Sequence, residues 1–153
     1  TSPAPGLDAS IGRAIENLTR SPFGSSSTLS ACAVITDTLK NIKVEQCGYS
    51  GLMLPIMEDP VLAQRAAQNR FGISELLLYS SVCGTGLDVV PIPGASSTTD
   101  VGNLLADVAS LATKYQKPLS ARLFPAPGLK AGEMVSFDNP YLTDAVVMPL
   151  PGR

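Results

Sequence analysis

The sequence predicts an α/β fold in which helices alternate with short apolar strands. Five segments carry apolar residues at helical spacing, and three or four short apolar runs lie between or after them. This alternation is typical of parallel strands joined by crossover helices. Because a closed sheet needs more strands than these, we expect an incomplete barrel that strands from elsewhere complete.

The predicted helices begin at capping residues and carry apolar stripes. Ser10 is a good N-cap for the first helix. Pro60 fits the first turn of the third, with the Glu58 and Asp59 carboxylates at its positive end. The fifth is the clearest, because its apolar residues keep helical spacing until Pro118 stops it. The predicted helices cover residues 11–20, 29–40, 60–69, 73–81 and 98–116.

Short apolar runs predict the strands. Residues 52–57 fit a buried strand or extended segment, and residues 87–92, 119–124 and 144–148 fit strands. No internal repeat or linker divides the chain, so we predict that residues 1–153 belong to one domain.

Composition excludes several classes of partner. Hydrophobic residues make up 44% of the 153 positions and charged residues 16%, which predicts a folded chain. The net charge is −2 and the basic residues are scattered, which argues against nucleic acid as a partner. No apolar run approaches the ~20 residues of a membrane helix, and the beginning of the sequence does not resemble a secretory leader. We therefore expect a cytoplasmic protein that does not bind membranes.

The chain has three cysteines, Cys32, Cys47 and Cys83, and no histidine. An odd number of cysteines without close spacing favours free thiols in a reducing compartment. The missing histidine excludes Ser-His-Asp and Cys-His catalysis within this chain, as well as histidine-based zinc sites. No metal site is predicted, and the sequence leaves the cofactor unknown. Acid–base chemistry would have to use carboxylates, Lys, Tyr, Cys or a chain terminus.

Cys83 is the first candidate site residue. It precedes Gly84, Thr85 and Gly86 between a predicted helix and a strand, where glycine permits positive φ and close approach of a ligand. Cys83 would be a nucleophile or acid–base thiol, and the backbone amides of residues 84–86 would hold an oxyanion. The simpler alternative is a tight turn with a buried, inert cysteine. The segment lacks both the GxGxxG and the GxxxxGK[ST] nucleotide motifs.

Charged residues near the apolar strands complete the candidate site. Asp88 enters a strand directly after the glycine loop and would orient or deprotonate a substrate. Arg122 is a lone charge in an apolar strand, so it either binds a substrate anion, pairs with an acid or faces water. Glu58 is a candidate substrate-binding residue, although charge at a helix N-terminus explains Glu58 and Asp59 more simply.

Two alternative functions remain open from the residues. Thr1 could act through its own α-amine as the catalytic residue of a self-processed hydrolase or acyltransferase subunit. Pro3 and Pro5 argue against this, and a fragment boundary also explains a threonine at position 1. The third possibility is a metabolite-binding domain without turnover, in which the same loop holds a ligand.

Several motifs resemble one protein family. SVCGTGLD at 81–88, continuing into VVPIPG at 89–94, is similar to the central motif of the pyruvate-formate-lyase-like family of unknown function (domain of unknown function, number 711). SPFGSSSTL at 21–29, CGYSGLMLPIMEDPVLAQRA at 47–66 and ARLFPAPGLKAGE at 121–133 resemble the family too. The resemblance covers nearly the whole chain, in the family's order.

The resemblance implies a relative of the ten-stranded α/β barrel of glycyl-radical enzymes, with Cys83 on the loop inside the barrel. Family members are much longer, so this chain resembles their C-terminal portion. Its partners would be the N-terminal portion, as a covalent or separate chain, and further copies in a homo-oligomer. The ending VVMPLPGR at 146–153 lacks the radical-glycine motif, so radical chemistry is not expected. We predict an enzyme that acts through Cys83 on a small polar carbonyl- or carboxylate-bearing metabolite.

Overall fold

A computed structural model describes Thr1, residues 6–45 and residues 51–152. Within these ranges helices and short strands alternate, which confirms the predicted α/β class. The predicted helices are all present, and each ends within two residues of its predicted limit. The elements are α1 Ile11–Thr19, α2 Thr28–Asn41, α3 Pro60–Ala67, α4 Ile73–Ser80, β1 Gly86–Pro93, α5 Thr98–Tyr115, β2 Ser120–Ala126, β3 Met134–Val135 and β4 Ala145–Val146.

β1 is the central strand. It pairs in parallel with β2, and α5 makes the crossover between them. On its other side, Pro55 forms a parallel bridge with Asp88, and the Ile56 amide donates to the Asp88 carbonyl at 3.0 Å. Helices α3 and α4 connect this extended segment to β1. Two βαβ connections therefore follow one another, as the sequence predicts.

The C-terminal region differs from the prediction. The expected strand 144–148 is reduced to the two residues of β4, which pair antiparallel with β3, a strand that the sequence analysis does not predict. Beyond β4 the chain keeps hydrogen bonding without a regular ladder: the Val147 amide donates to the Glu133 carbonyl, and the Met148 amide donates to the Pro91 carbonyl, each at 2.8 Å. The tail is therefore attached to the end of β1.

Two helix starts share one buried polar contact. Ser10 caps α1 by accepting from the Arg13 amide at 3.0 Å, as predicted, and its hydroxyl donates to Asp59 Oδ1 at 2.8 Å. Asp59 caps α3 by accepting from the Val61 and Leu62 amides, each at 2.9 Å. The Asp59 carboxylate is thus fully engaged in structure, which confirms the simpler interpretation for this residue.

The core lies between the helices and β1. Every residue of β1 up to Ile92 is buried, as expected for a central parallel strand. Phe23 sits among the helices, with its ring 5.0 Å from that of Phe71 and 5.5 Å from that of Tyr79. Three of the few aromatic residues thus pack together here, and most of the other core residues are Leu, Ile, Val and Ala.

The described residues form two two-stranded sheets and the bridge to Pro55, and these do not close into a barrel. The second edge of β2 has no partner strand within that part of the chain. A ten-stranded barrel in the whole protein therefore stays a prediction. None of the helices in the described ranges has the length and apolar character needed to cross a bilayer.

Candidate functional site

Cys83 lies at the end of α4 with its thiol sealed in the core. Its amide donates to the Tyr79 carbonyl at 2.8 Å, which extends the helical turn. The side chain is 0% exposed, and Sγ accepts from the Gly86 amide at 3.5 Å. Its nucleophilic role stays a prediction, because a substrate would have to reach a thiol that solvent does not contact.

The glycines after Cys83 allow segments of backbone to touch. A β-carbon added at Gly84 would lie 2.4 Å from the Cα of Gly51, and one added at Gly86, where φ is +98°, would lie 2.3 Å from the Ser120 carbonyl oxygen. The Gly84 amide donates to the Leu52 carbonyl at 3.1 Å. The amides of Gly84 and Gly86 thus have acceptors within the chain, and the role of residues 84–86 in holding an oxyanion stays a prediction.

Lys117 is a neighbour of this loop that the sequence analysis does not single out. Its ammonium donates to the carbonyl of Ser81 at 3.0 Å and to that of Cys83 at 2.7 Å. Burial lowers the pKa of Lys117, and the proximity of Cys83 partly opposes this effect. In sequence the residue only marks the negative end of α5, and its contact with the end of α4 depends on the packing of the two helices.

The other predicted thiols contribute less. Cys32 lies in α2 and is 0% exposed, and burial raises the pKa of its thiol to about 12, with Cys83 adding to the effect. Cys32 and Cys83 are free thiols. Cys47 lies outside the described residues.

Three of the predicted site residues meet at the sheet. Arg122, the third residue of β2, donates from Nε to Asp88 Oδ1 at 2.5 Å, and its Nη2 contacts the same oxygen. Nη2 also lies 3.2 Å from Glu58 Oε2. Glu58 stands just before α3, so three separate parts of the chain supply the side chains. We call Asp88, Arg122 and Glu58 the Asp88 cluster.

A β-bulge in β1 lies beside this cluster. Leu87 pairs with Ala121 and Val90 with Leu123, so two residues of β1 stand opposite Arg122 alone. The second of the two, Val89, has φ of +48°, which a β-branched side chain rarely adopts. Such a conformation costs about 1–3 kcal/mol and is commonly found at functional sites. The surrounding fold therefore holds the backbone next to Asp88 in a strained form.

The two charged groups that pair in the Asp88 cluster differ strongly in their exposure to solvent. The Asp88 side chain is only 4% exposed, whereas that of Arg122 is 46% exposed. Asp88 Oδ1 accepts both contacts from Arg122, and Oδ2 is buried with no hydrogen-bond donor in the described part of the chain. Burial raises the pKa of Asp88, and this outweighs the lowering by Arg122. The site thus combines a poorly solvated carboxyl with a guanidinium that reaches solvent.

A pocket of about 190 Å³ adjoins the cluster at Glu58. Pro60, Tyr141 and Thr143 contribute to its lining. Its volume suits a ligand of a few non-hydrogen atoms, because drug-sized ligands occupy roughly 300–1,000 Å³. Within the described ranges, no three acidic or thiol side chains are grouped closely enough to hold a metal ion.

Thr1 lies beside the segment that packs against the Cys83 loop. Its amine donates to the Gly51 carbonyl at 2.5 Å, and its hydroxyl accepts from the Met53 amide at 3.0 Å. The structure therefore ties Thr1 to residues adjoining Gly84 and records no contact with the Asp88 cluster. Its predicted catalytic role is untested.

The comparison with known proteins places the chain in a family. The family model described as Uncharacterised ACR (DUF711) matches residues 1–139. The chain belongs to this family. The prediction of a family of unknown function is thereby confirmed, whereas the link to pyruvate formate-lyase and the C-terminal placement stay predictions.

Curated relatives carry the name UPF0210 protein. The one from Oleidesulfovibrio alaskensis is 31% identical over 99% of this chain and 34% of its own length. The one from Pyrobaculum aerophilum is 35% identical over 95% of this chain and 34% of its own length. The chain thus spans about a third of the relatives that it matches. No solved structure matches it significantly.

Proposed function

We propose that this chain contributes the anion-binding and proton-transfer groups of an enzyme that acts on a small polar metabolite with a carbonyl or carboxylate group. The observation that carries the proposal is the asymmetry of the Asp88 cluster. The buried carboxyl of Asp88 forms an ion pair with the half-exposed guanidinium of Arg122, and among the described residues its Oδ2 has no hydrogen-bond donor. Perturbed carboxyl groups with a specific charged partner beside a pocket are typical of active sites.

Arg122 would bind the acceptor oxygens of the ligand. Nε and Nη2 are directed at Asp88 and Glu58, whereas Nη1 donates to none of the residues that the structure describes. The planar guanidinium suits carboxylate and carbonyl oxygens. The two acids hold it from different elements, so it is oriented before a ligand arrives, which lowers the entropic cost of binding.

Asp88 would transfer the proton. Burial raises the pKa of its carboxyl, so the group holds a proton at a higher pH than an ordinary aspartate. A carboxyl shifted in this direction is better suited to act as a general acid or base near neutral pH. The reaction class that this pair of groups supports is proton transfer to or from the carbon next to a carbonyl, or to the carbonyl oxygen itself.

A binding screen on the full-length protein tests this proposal. Small carboxylic acids and keto acids are tested by thermal shift and ligand-observed NMR against wild type, Arg122→Gln and the matched control Arg13→Gln, an exposed arginine on α1. We expect at least one acid to bind wild type and the control alike, and to lose at least about tenfold in affinity with Arg122→Gln, since one charge-assisted contact contributes about 1.5–3 kcal/mol. Equal binding to all three proteins would refute the proposal.

A second candidate places Cys83 as the nucleophile. Two contacts favour it: the Gly86 amide donates to Sγ, and the Lys117 ammonium fixes the adjoining carbonyls. Because the thiol is fully buried, this role requires the loop to open. Native full-length protein is treated with a small alkylating reagent and compared with Cys83→Ser. A thiol at position 83 that labels only after denaturation, with unchanged ligand binding in the variant, would exclude this candidate.

A further inference from the structure

We infer that anion binding at Arg122 is coupled to the uptake of one proton by Asp88. The inference rests on the proposed function, since it concerns the same site. It adds that ligand binding controls the protonation of Asp88. It follows from the way in which the contacts of the guanidinium are distributed over the two acids.

Among the described residues, Asp88 takes its side-chain hydrogen bonds from Arg122 alone. Both contacts from the guanidinium fall on Oδ1, and Oδ2 has no donor within the described ranges. In the described part of the chain, the charged groups that face Asp88 are Arg122 from β2 and, across Arg122, Glu58 ahead of α3. Among the residues that the structure describes, Arg122 is therefore the single positive charge that offsets an almost fully buried carboxylate.

A ligand anion would compete for that charge. An acid bound to Arg122 draws the guanidinium, which is half exposed, towards the ligand and adds negative charge beside two carboxylates. A buried carboxylate that loses its counter-charge carries a large desolvation penalty, whereas a protonated carboxyl does not. Burial alone already raises the pKa of Asp88. Protonation of Asp88 is then the cheapest way to keep the cluster neutral enough to hold the anion.

The consequence for function is that binding prepares the acid. The cluster binds its ligand together with a proton, and that proton is held at Asp88, beside the group that the ligand contacts. Because Asp88 takes up its proton when the ligand binds, the ligand-bound site holds a general acid that can protonate a carbonyl oxygen.

Formate is a suitable probe, because it is small and stays ionised near neutral pH. Titration calorimetry of the full-length protein in two buffers with different ionisation enthalpies counts the protons taken up for each formate bound, and requires no variant. We expect uptake approaching one proton, and an affinity that falls by up to about tenfold for each pH unit of increase. Asp88→Asn is expected to abolish both the uptake and the slope, whereas Asp107→Asn, at an exposed acid on α5, leaves both unchanged.

The outcomes separate the two proposals. If formate binds through Arg122, with loss of affinity in Arg122→Gln, but no proton is taken up and no slope appears, the coupling is wrong and the proposed function stands. If formate binds equally well to wild type and to Arg122→Gln, or binds to neither, the coupling fails; the proposed function fails with it only if no acid in the screen distinguishes wild type from Arg122→Gln. If uptake persists in a folded Asp88→Asn protein, another group takes the proton and the coupling to Asp88 is overturned.

Discussion

Gly84 offers a sharp test of how the Cys83 loop is built. Replacing it by alanine would place a β-carbon 2.4 Å from the Cα of Gly51 and 2.9 Å from the Leu52 nitrogen. Both contacts involve backbone, so the two segments must separate by about 1 Å to reach ordinary van der Waals distance. Overpacking of this kind costs about 1–3 kcal/mol. Weakening the hydrogen bond from the Gly84 amide to the Leu52 carbonyl adds about 0.5–1.5 kcal/mol. We therefore expect Gly84→Ala to lower the free energy of unfolding by about 2–4 kcal/mol.

Gly102 provides the matched control. It lies within α5, and a β-carbon there would meet nothing within 4 Å. Alanine in a helix is favoured over glycine by about 0.5–1 kcal/mol, so Gly102→Ala should stabilise the protein. Urea denaturation of the full-length variants, followed by circular dichroism, measures both effects. If Gly84→Ala unfolds within about 0.5 kcal/mol of wild type, a typical surface effect, the close packing described for this loop is refuted.

Three further predictions concern ionised groups. Arg65 contacts Glu16 through Nε at 2.6 Å and Nη2 at 3.1 Å, with both side chains mostly buried, so Glu16→Gln should cost about 1–3 kcal/mol in urea denaturation. The hydrogen bond from Arg65 lowers the pKa of Glu16. The stability from this pair is therefore present above the ordinary glutamate pKa of 4.5 and is lost as the pH falls through the lower pKa of the folded state. Glu16→Gln should not show this loss of stability at acid pH, and a variant that still shows it would contradict the assignment. The pH dependence of stability is opposite for Asp88, because burial raises the pKa of its carboxyl in the folded state. Its contribution to the free energy of unfolding is present below the ordinary aspartate pKa of 3.8 and is lost as the pH rises through the pKa of the folded state. Asp88→Asn should remove that decline when the free energy of unfolding is measured over a series of pH values. Lys117→Met should speed alkylation of Cys83, because two carbonyls at the end of α4 lose their hydrogen-bond donor and the Cys83 loop opens more often. Lys117→Arg should keep the slow alkylation rate of wild type. Equal rates in all three proteins would show that Lys117 does not hold the loop closed.

Local signals in the sequence account for most of the secondary structure. Ser10 forms the predicted cap of α1, and Pro118 follows the end of α5, because caps and apolar stripes act within a few residues. Helix α3 ends at Ala67, two residues before its predicted limit of Asn69, where φ of +54° takes the chain out of helical geometry. Asparagine adopts this left-handed conformation more readily than most residues, so Asn69 is itself a signal for the helix end.

Features that depend on distant residues were harder to predict. β3 has two residues and exists through its pairing with β4, so no periodicity could reveal it. The sequence indicates Arg122 as a lone charge in an apolar strand and Asp88 as a residue that follows the glycine loop, but their meeting depends on the register between β1 and β2 and on the bulge at Val89. Sequence spacing gives neither the register nor the bulge.

The glycine loop shows a different limit of sequence reasoning. Two glycines beside a cysteine fit either a ligand cradle or close backbone packing, since both require the absence of a side chain. The structure shows close backbone packing at Gly84 and Gly86, because each has backbone of another segment where its β-carbon would be, and their contact with a ligand stays a prediction. The same motif therefore carries less information about chemistry than the lone charge at Arg122.

A crystal structure of the full-length protein, grown with the acid that binds most tightly in the screen, tests the central claim most directly. The account predicts ligand density against the Arg122 guanidinium, extending towards the pocket at Glu58, with Asp88 Oδ2 unpaired by any protein donor. Density at another site, or a side chain from the rest of the protein that donates to Oδ2 and fills this space, would contradict it.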